Sequence, residues 1–169
     1  MIISLTGFMG CGKSSVGRRL SELLCCPFID LDEEIEAREG RRIAEIFEQD
    51  GEVEFRKIEK ATLEHIIESD GRKLVLALGG GAIMTQGSAE IVHDRTTCIY
   101  LRAYADTLME HLSDETSGRP LLNTDDLRGR IMTLMELRSE TYESTAHHII
   151  DTDGKDIDTI AREIIQSIL

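Results

Sequence analysis

Gly7 to Ser14, read as GFMGCGKS, fits the pattern G-x-x-x-x-G-K-[ST] in full, and its surroundings decide the fold. On its amino side runs the apolar stretch from Ile2 to Leu5. On its carboxyl side Val16, Leu20, Leu23 and Leu24 recur at helical spacing between Lys13 and Leu24. Strand, glycine-rich loop and amphipathic helix therefore follow one another, as a phosphate-binding loop requires. The glycines let successive backbone N–H groups turn inward around an anion, and the helix points its positive end at the same place. Lys13 brings a full charge to the β- and γ-phosphates of a nucleotide, and the Ser14 hydroxyl is placed to ligate Mg²⁺.

Working outward, Phe28 to Leu31 predicts a second strand, and DEEIEAREG and RIAEIFEQDG predict two short helices, each closed by a glycine. A longer helix is expected from Glu52 to Ser69, ending at Asp70-Gly71. KLVLALGGG then reads as a strand covered on both faces, since it is apolar without alternation. Thr97 to Leu101 predicts another buried strand and Ala103 to His111 a helix. The polar segment Ser113 to Gly118 and the RPLL after it predict a mobile loop. Helical signals resume at Thr124, a candidate N-cap, and continue to Tyr142. His147 to Asp151 reads as a last strand and Asp156 to Leu169 as a last helix. Strands alternating with helices imply parallel pairing with helices on both faces, an α/β open sheet in three layers.

The 169 residues, 41% hydrophobic and 30% charged, suit one globular domain and exclude a disordered or fibrous chain. No apolar run reaches the roughly 18 residues of a membrane span, and a soluble, cytoplasmic protein is expected, with no membrane partner. The net charge of −13 repels polyanions, so nucleic acid is not an expected partner. A small anionic substrate would need a local basic concavity inside an acidic shell, which makes each well-placed Arg or Lys informative. Cys11, Cys25, Cys26 and Cys98 lack metal or redox spacing and read as reduced thiols, and the five histidines show no metal spacing either.

Four further constellations carry chemistry. FIDLD puts Asp30 and Asp32 at the end of the second strand, where residues two apart share a face and both carboxylates reach the carboxyl edge of the sheet. Asp32 is equally placed to cap the following helix. GEVEFRKIE sets Arg56 among Glu52, Glu54 and Glu59, by default a surface ion-pair arrangement. Gly79, Gly80 and Gly81 follow a buried strand, which implies unusual dihedrals or close approach of a ligand to the backbone. SGRPLL and LRSETY offer Arg119 and Arg138. Cys11 lies in the phosphate loop beside Lys13, a setting that lowers a thiol pKa, although the plainer reading is a small residue tolerated in the loop.

GFMGCGKSSVGRRL, FIDLDEEIE, GEVEFRKIE, LALGGGAI, GRPLL and LRSETY, in this order and spacing, resemble the shikimate kinase family over nearly the whole chain. The resemblance implies a P-loop kinase of the nucleoside-monophosphate-kinase type, with five parallel strands in a single domain over 1–169 and a mobile lid at about 112–124. It implies transfer of the ATP γ-phosphoryl to the 3-hydroxyl of shikimate, with one Mg²⁺ per monomeric subunit. By that resemblance Gly10, Cys11, Gly12, Lys13, Ser14 and Ser15 hold ATP, while Ser14 and Asp30 serve the metal. Asp32 binds and orients the hydroxyl. Arg56 and Arg138 grip the shikimate carboxylate, Gly79 to Gly81 lie along the ring, and Arg119 folds over the transferring phosphate. Lys13, Asp32 and Arg119 are thus the catalytic set. Two positions depart from the family pattern. Leu112, beside His111, stands where an adenine-stacking Arg is usual, and RSETY lacks the proline of R-x-P-x-Y, so that helix is expected to run further. A gluconate kinase of the same fold is the competing enzyme reading. A catalytically silent nucleotide-binding domain is the competing reading outside enzymes, and the intact Lys13, Ser14, Asp30 and Asp32 argue against it.

Overall fold

The computed structural model describes residues 1–8, 10–69, 71–112 and 126–169. The phosphate-loop unit sets the frame: strand β1 is Ile2–Thr6 and helix α1 is Lys13–Leu24. β2 (Phe28–Asp30) leads directly into α2 (Leu31–Glu39), and α3 (Ile43–Glu68) follows. Gly51 interrupts α3 at φ 86° and ψ 170°, so its two halves are the two helices expected on either side of that glycine. Next come β3 (Leu74–Ala77), a single 3₁₀ turn (Ala82–Met84), α4 (Ser88–Arg95), β4 (Thr97–Arg102) and α5 (Ala105–Leu112). The chain closes with α6 (Leu127–Thr145), β5 (His148–Asp151) and α7 (Ile157–Ile168).

All pairings are parallel, in the order β2-β3-β1-β4-β5. The expected five-stranded, three-layer sheet is what the chain forms. The register positions the site. Asp30 lies opposite Ala77, and Ala77 opposite Leu5, so the carboxyl ends of β2, β3 and β1 finish in one row. The loop after Gly7, the glycines after Leu78 and the start of α2 therefore converge on one edge, with β1 at the point where the strand order reverses.

Each sheet face buries its own core. On one side Ile3 and Leu5 pack with Val16 and Leu20 of α1, Ile160 and Ile164 of α7, and Leu108 and Leu134 of α5 and α6. On the other, Leu74 and Leu76 pack with Leu31 and Ile35 of α2 and with Leu63, Ile66 and Ile67 of α3. Every residue of β1 and β3 is buried, which explains why neither strand alternates in sequence.

Three expectations need correction. The turn at 82–84 and α4 were not anticipated between Gly81 and Thr97. α4 is only eight residues long and buries just Ser88 and Val92, too few positions for a period to emerge. Helix α6 is capped by Asp126, whose side chain accepts from the Gly129 N–H (3.0 Å), whereas the expected cap, Thr124, lies outside the described residues. Finally, Asp30 and Asp32 do not share a strand face, because β2 ends at Asp30 and Asp32 belongs to the first turn of α2. Helix α6 does continue past Tyr142 to Thr145, as the missing proline implied. The lid segment and Arg119 lie outside the described residues.

Candidate active site

The phosphate loop closes through positive-φ glycines, with Gly10 at 83° and Gly12 at 89°, and no side chain caps α1. The first-turn N–H groups of α1 thus remain as donors for an anion. Lys13 lies within the loop, its Nζ donating to the carbonyls of Gly7 (2.7 Å) and Phe8 (3.1 Å). Buried Cys11 has its Sγ 4.0 Å from that ammonium. Gly10, Cys11, Gly12, Lys13, Ser14 and Ser15 all line a cleft of about 710 Å³. Asp30, Asp32, Gly79 and Gly80 line it as well. Thr107, Thr152, Lys155, Asp156 and Ile157 line it too, residues that sequence reading missed. Nothing in the spacing of DTDGKDID singles it out; only the placement of β5 beside β4 brings that loop to the cleft.

The two aspartates divide their work. Asp30 is the helix cap: its Oδ1 accepts from the backbone N–H groups of Asp32 (2.9 Å) and Glu33 (3.2 Å), and its Oδ2 accepts from the Ser14 hydroxyl. The cap role weighed for Asp32 therefore belongs to Asp30, and the Asp32 side chain faces the cleft. Ser14 and Asp30 together offer hard oxygen donors beside the phosphate loop. Mg²⁺ is usually held by one or two such protein oxygens plus phosphates and water, so this pair fits the ion. Among the described residues no cluster of three or more His, Cys, Asp or Glu could hold a metal.

Beyond the glycines lies the basic part of the site. Arg56, on the second half of α3, donates from Nη1 to Glu59 Oε1 (2.8 Å), and its Nη2 lies 3.6 Å from Glu52. Its side chain is only 17% exposed, so the surface ion pair expected by default is in fact mostly buried. Arg138 on α6 is 6% exposed, stands over the Phe8 ring at 5.9 Å, and has an Nη1 without a hydrogen-bond partner among the described residues. Tyr142, one turn later and 1% exposed, lies close enough to feel the Arg138 charge and donates its hydroxyl to the Gly80 carbonyl. The Tyr142 hydroxyl is pushed far above the usual phenol range by burial, so it remains a donor.

The triple glycine now has a physical reason. Neither Gly79 nor Gly81 occupies the left-handed region, which removes unusual dihedrals as the cause there. A Cβ at Gly79 would lie 2.9 Å from Asp32 Oδ1 and 3.1 Å from Glu59 Oε2. One at Gly81 would lie 2.6 Å from Arg56 Nη2. The close approach is made by the protein's own charged side chains, crowded against bare backbone. Glu59 sits among them, 1% exposed, its carboxyl pushed up to about 7 mainly by burial, partly offset by Arg56. The sequence held one signal for it, the i,i+3 spacing from Arg56.

Comparison with known proteins agrees with this arrangement. The family profile described as shikimate kinase matches residues 9–169.

The chain belongs to the shikimate kinase family.

A shikimate kinase of Thermus thermophilus is 39% identical over 166 residues, covering 98% of this chain and 89% of that one. Among solved structures, a shikimate kinase from Acinetobacter baumannii in complex with shikimate superposes with a TM-score of 0.95 at 36% identity, covering 99% of this chain and 92% of that one. A gluconokinase from Sinorhizobium meliloti superposes with a TM-score of 0.61 at 17% identity, covering 98% and 90%, and shares the fold alone. The Acinetobacter baumannii shikimate kinase is thus nearer than this gluconokinase in shape as well as in sequence. Among the described residues no helix is long and apolar enough to cross a membrane.

Proposed function

We propose that this chain transfers the γ-phosphoryl group of ATP to the 3-hydroxyl of shikimate. One observation carries the substrate choice: Arg138, buried with an unpartnered Nη1 over Phe8 of the phosphate loop, and the mostly buried Arg56 both act on the same carboxylate, Glu59. A buried unpaired donor on a cation is costly unless an anion completes it, and a planar substrate carboxylate matches the guanidinium fork.

The residues then divide as follows. The phosphate-loop N–H groups, Ser15 and Lys13 hold the triphosphate, Lys13 facing the charge that spreads over the transferring group. Ser14 and Asp30 would hold Mg²⁺, which when bound neutralises phosphate charge. Asp32 accepts the hydrogen bond of the attacking hydroxyl and aims it at the phosphate. Arg56 and Arg138 grip the carboxylate, Tyr142 fixing Arg138, while the ring lies on Gly79, Gly80 and Gly81. Arg119 covers the phosphoryl group from a lid at about 112–124, and the enzyme acts as one domain over 1–169.

The test is ADP release with shikimate, with gluconate and with no acceptor. Turnover on shikimate alone is the expected outcome, and equal turnover on gluconate would reject the assignment. Arg56→Lys and Arg138→Lys keep the charge and lose the fork. Each should raise KM for shikimate by about ten- to a hundredfold, since a charge-assisted hydrogen bond contributes about 1.5–3 kcal/mol. KM for ATP should barely move.

A further inference from the structure

Glu59 has no place in the phosphoryl-transfer steps above, yet it stands at the centre of the charged side chains that surround the acceptor. Its side chain is 2% exposed and its Oε1 takes Arg56 Nη1 at 2.8 Å. Its Oε2 is packed so close to Gly79 that a Cβ there would approach to 3.1 Å. The charged groups that face it come from each neighbouring element: Arg56 on its own helix α3, Asp32 on α2 and Arg138 on α6. It follows that a buried carboxylate, with Asp32 nearby, already faces the positive charge of the same two arginines that are proposed to receive the substrate carboxylate.

We infer that Glu59 is a proton-coupled positioning residue: binding of the acceptor's carboxylate to Arg56 and Arg138 drives uptake of one solvent proton onto Glu59. This rests on the shikimate reading of the site. The step balances simply. A third anion enters a cluster holding two cations and two carboxylates, and one carboxylate becomes a carboxylic acid by taking a proton from the buffer, so the net charge of the cluster is the same before and after binding. Asp32 is the poorer candidate for the proton, since it lines the open cleft while Glu59 is enclosed. With its carboxyl already raised to about 7 by burial, a further anion on Arg56 moves Glu59 higher still. The sign follows. Below about pH 6 Glu59 is protonated with and without substrate, and affinity is flat. Between the free and the bound pKa, binding takes up a proton, and each pH unit weakens affinity by up to about tenfold. Neutralised, Glu59 still accepts from Arg56 through its carbonyl oxygen, so the guanidinium is kept in place while its charge is released to the substrate.

Two measurements test this. Calorimetry of shikimate binding to the wild-type protein in two buffers of different ionisation enthalpy, at about pH 8, counts protons and needs no variant. The expected count lies well above zero and approaches one. In Glu59→Gln it should vanish, and the dissociation constant should become independent of pH between about 6.5 and 8.5 while shikimate still binds. A count of zero in the wild type with shikimate bound, or an unchanged count in Glu59→Gln, overturns the proposal. Carboxyl ¹³C NMR supplies an arm independent of the substrate, the Glu59 signal being assigned by its absence in Glu59→Gln. Its midpoint should lie near 7 without shikimate and rise with it. A midpoint in the ordinary glutamate range of about 4.3 overturns the proposal even if shikimate is a good substrate. A midpoint near 7 in a protein that binds no shikimate would instead refute the proposed function and, with it, the coupling.

Discussion

Lys13 is tethered by the carbonyls of Gly7 and Phe8, so its removal leaves the cores on either side of the sheet intact. Lys13→Ala is therefore expected to retain its melting temperature while losing at least about 10²-fold in kcat, the usual effect of deleting a preorganised group at developing charge. Thermal melts and steady-state rates on the same sample check both halves; more than about a tenth of wild-type turnover would remove Lys13 from that role. The two aspartates make a sharper pair. Because Asp30 caps α2 and Asp32 does not, Asp30→Ala should lower stability by about 1 kcal/mol, as cap deletions do. Asp32→Asn should leave the denaturation midpoint unchanged and cut kcat by about 10²- to 10⁴-fold with little change in ATP binding. Near-normal turnover in Asp32→Asn would mean that the cleft-facing carboxylate handles no hydroxyl.

After β3 and Leu78 come three residues that carry no side chains, and charged side chains of α2 and α3 pack directly against Gly79 and Gly81. Gly81→Ala would bring a Cβ to 2.6 Å from the Arg56 guanidinium, the far end of a flexible chain, so the guanidinium yields and the fold survives. The expected result is a rise of about tenfold or more in KM for shikimate with a small change in melting temperature, equivalent to losing one charge-assisted hydrogen bond. An unchanged KM would show that Arg56 reaches no substrate. These elements also mark what the sequence made legible. The phosphate loop, α1 and the five strands were readable because their signals are local: a fixed spacing, a 3.6-residue period, unbroken apolar runs. The reason for GGG was not, because the atoms that crowd it come from Asp32 and from Arg56 and Glu59, which are far from it along the chain. Arg138 showed the same limit, since it stands over the ring of Phe8, which is far from LRSETY along the chain. The helix cap weighed for Asp32 fell to Asp30 because β2 stops one residue earlier than its apolar run suggested.

For the molecule as a whole, pH acts through two opposed groups of carboxyls. Asp151, Asp156 and Asp158 are held below the usual range by Arg102, by the Thr159 N–H and by Arg162 with Arg19, respectively. Their contribution is present above the ordinary aspartate value and fades as pH falls through the lowered ones; all three are exposed, so it is modest. Glu59 has the reverse sign. The fold binds its proton up to about 7, so its contribution declines as pH rises from the unfolded value towards 7, by about 3 kcal/mol in all. The charge of −13 adds repulsion in the same direction. The melting temperature is expected to peak near about pH 5 and to fall towards about pH 8, with Glu59→Gln flattening that decline. A wild-type melting temperature constant across that interval would contradict the burial of Glu59. One further property follows from Tyr142. The chain has no tryptophan and three tyrosines. Tyr104 is open to solvent, while Tyr100 and Tyr142 pack with their ring centres 5.1 Å apart, the Tyr142 hydroxyl on the Gly80 carbonyl. The intrinsic ultraviolet absorbance and near-ultraviolet circular dichroism of the unlabelled protein therefore carry a built-in optical reporter at the glycine run, expected to follow ligand arrival without dye, coupling enzyme or engineered fluorophore if the acceptor lies there as proposed.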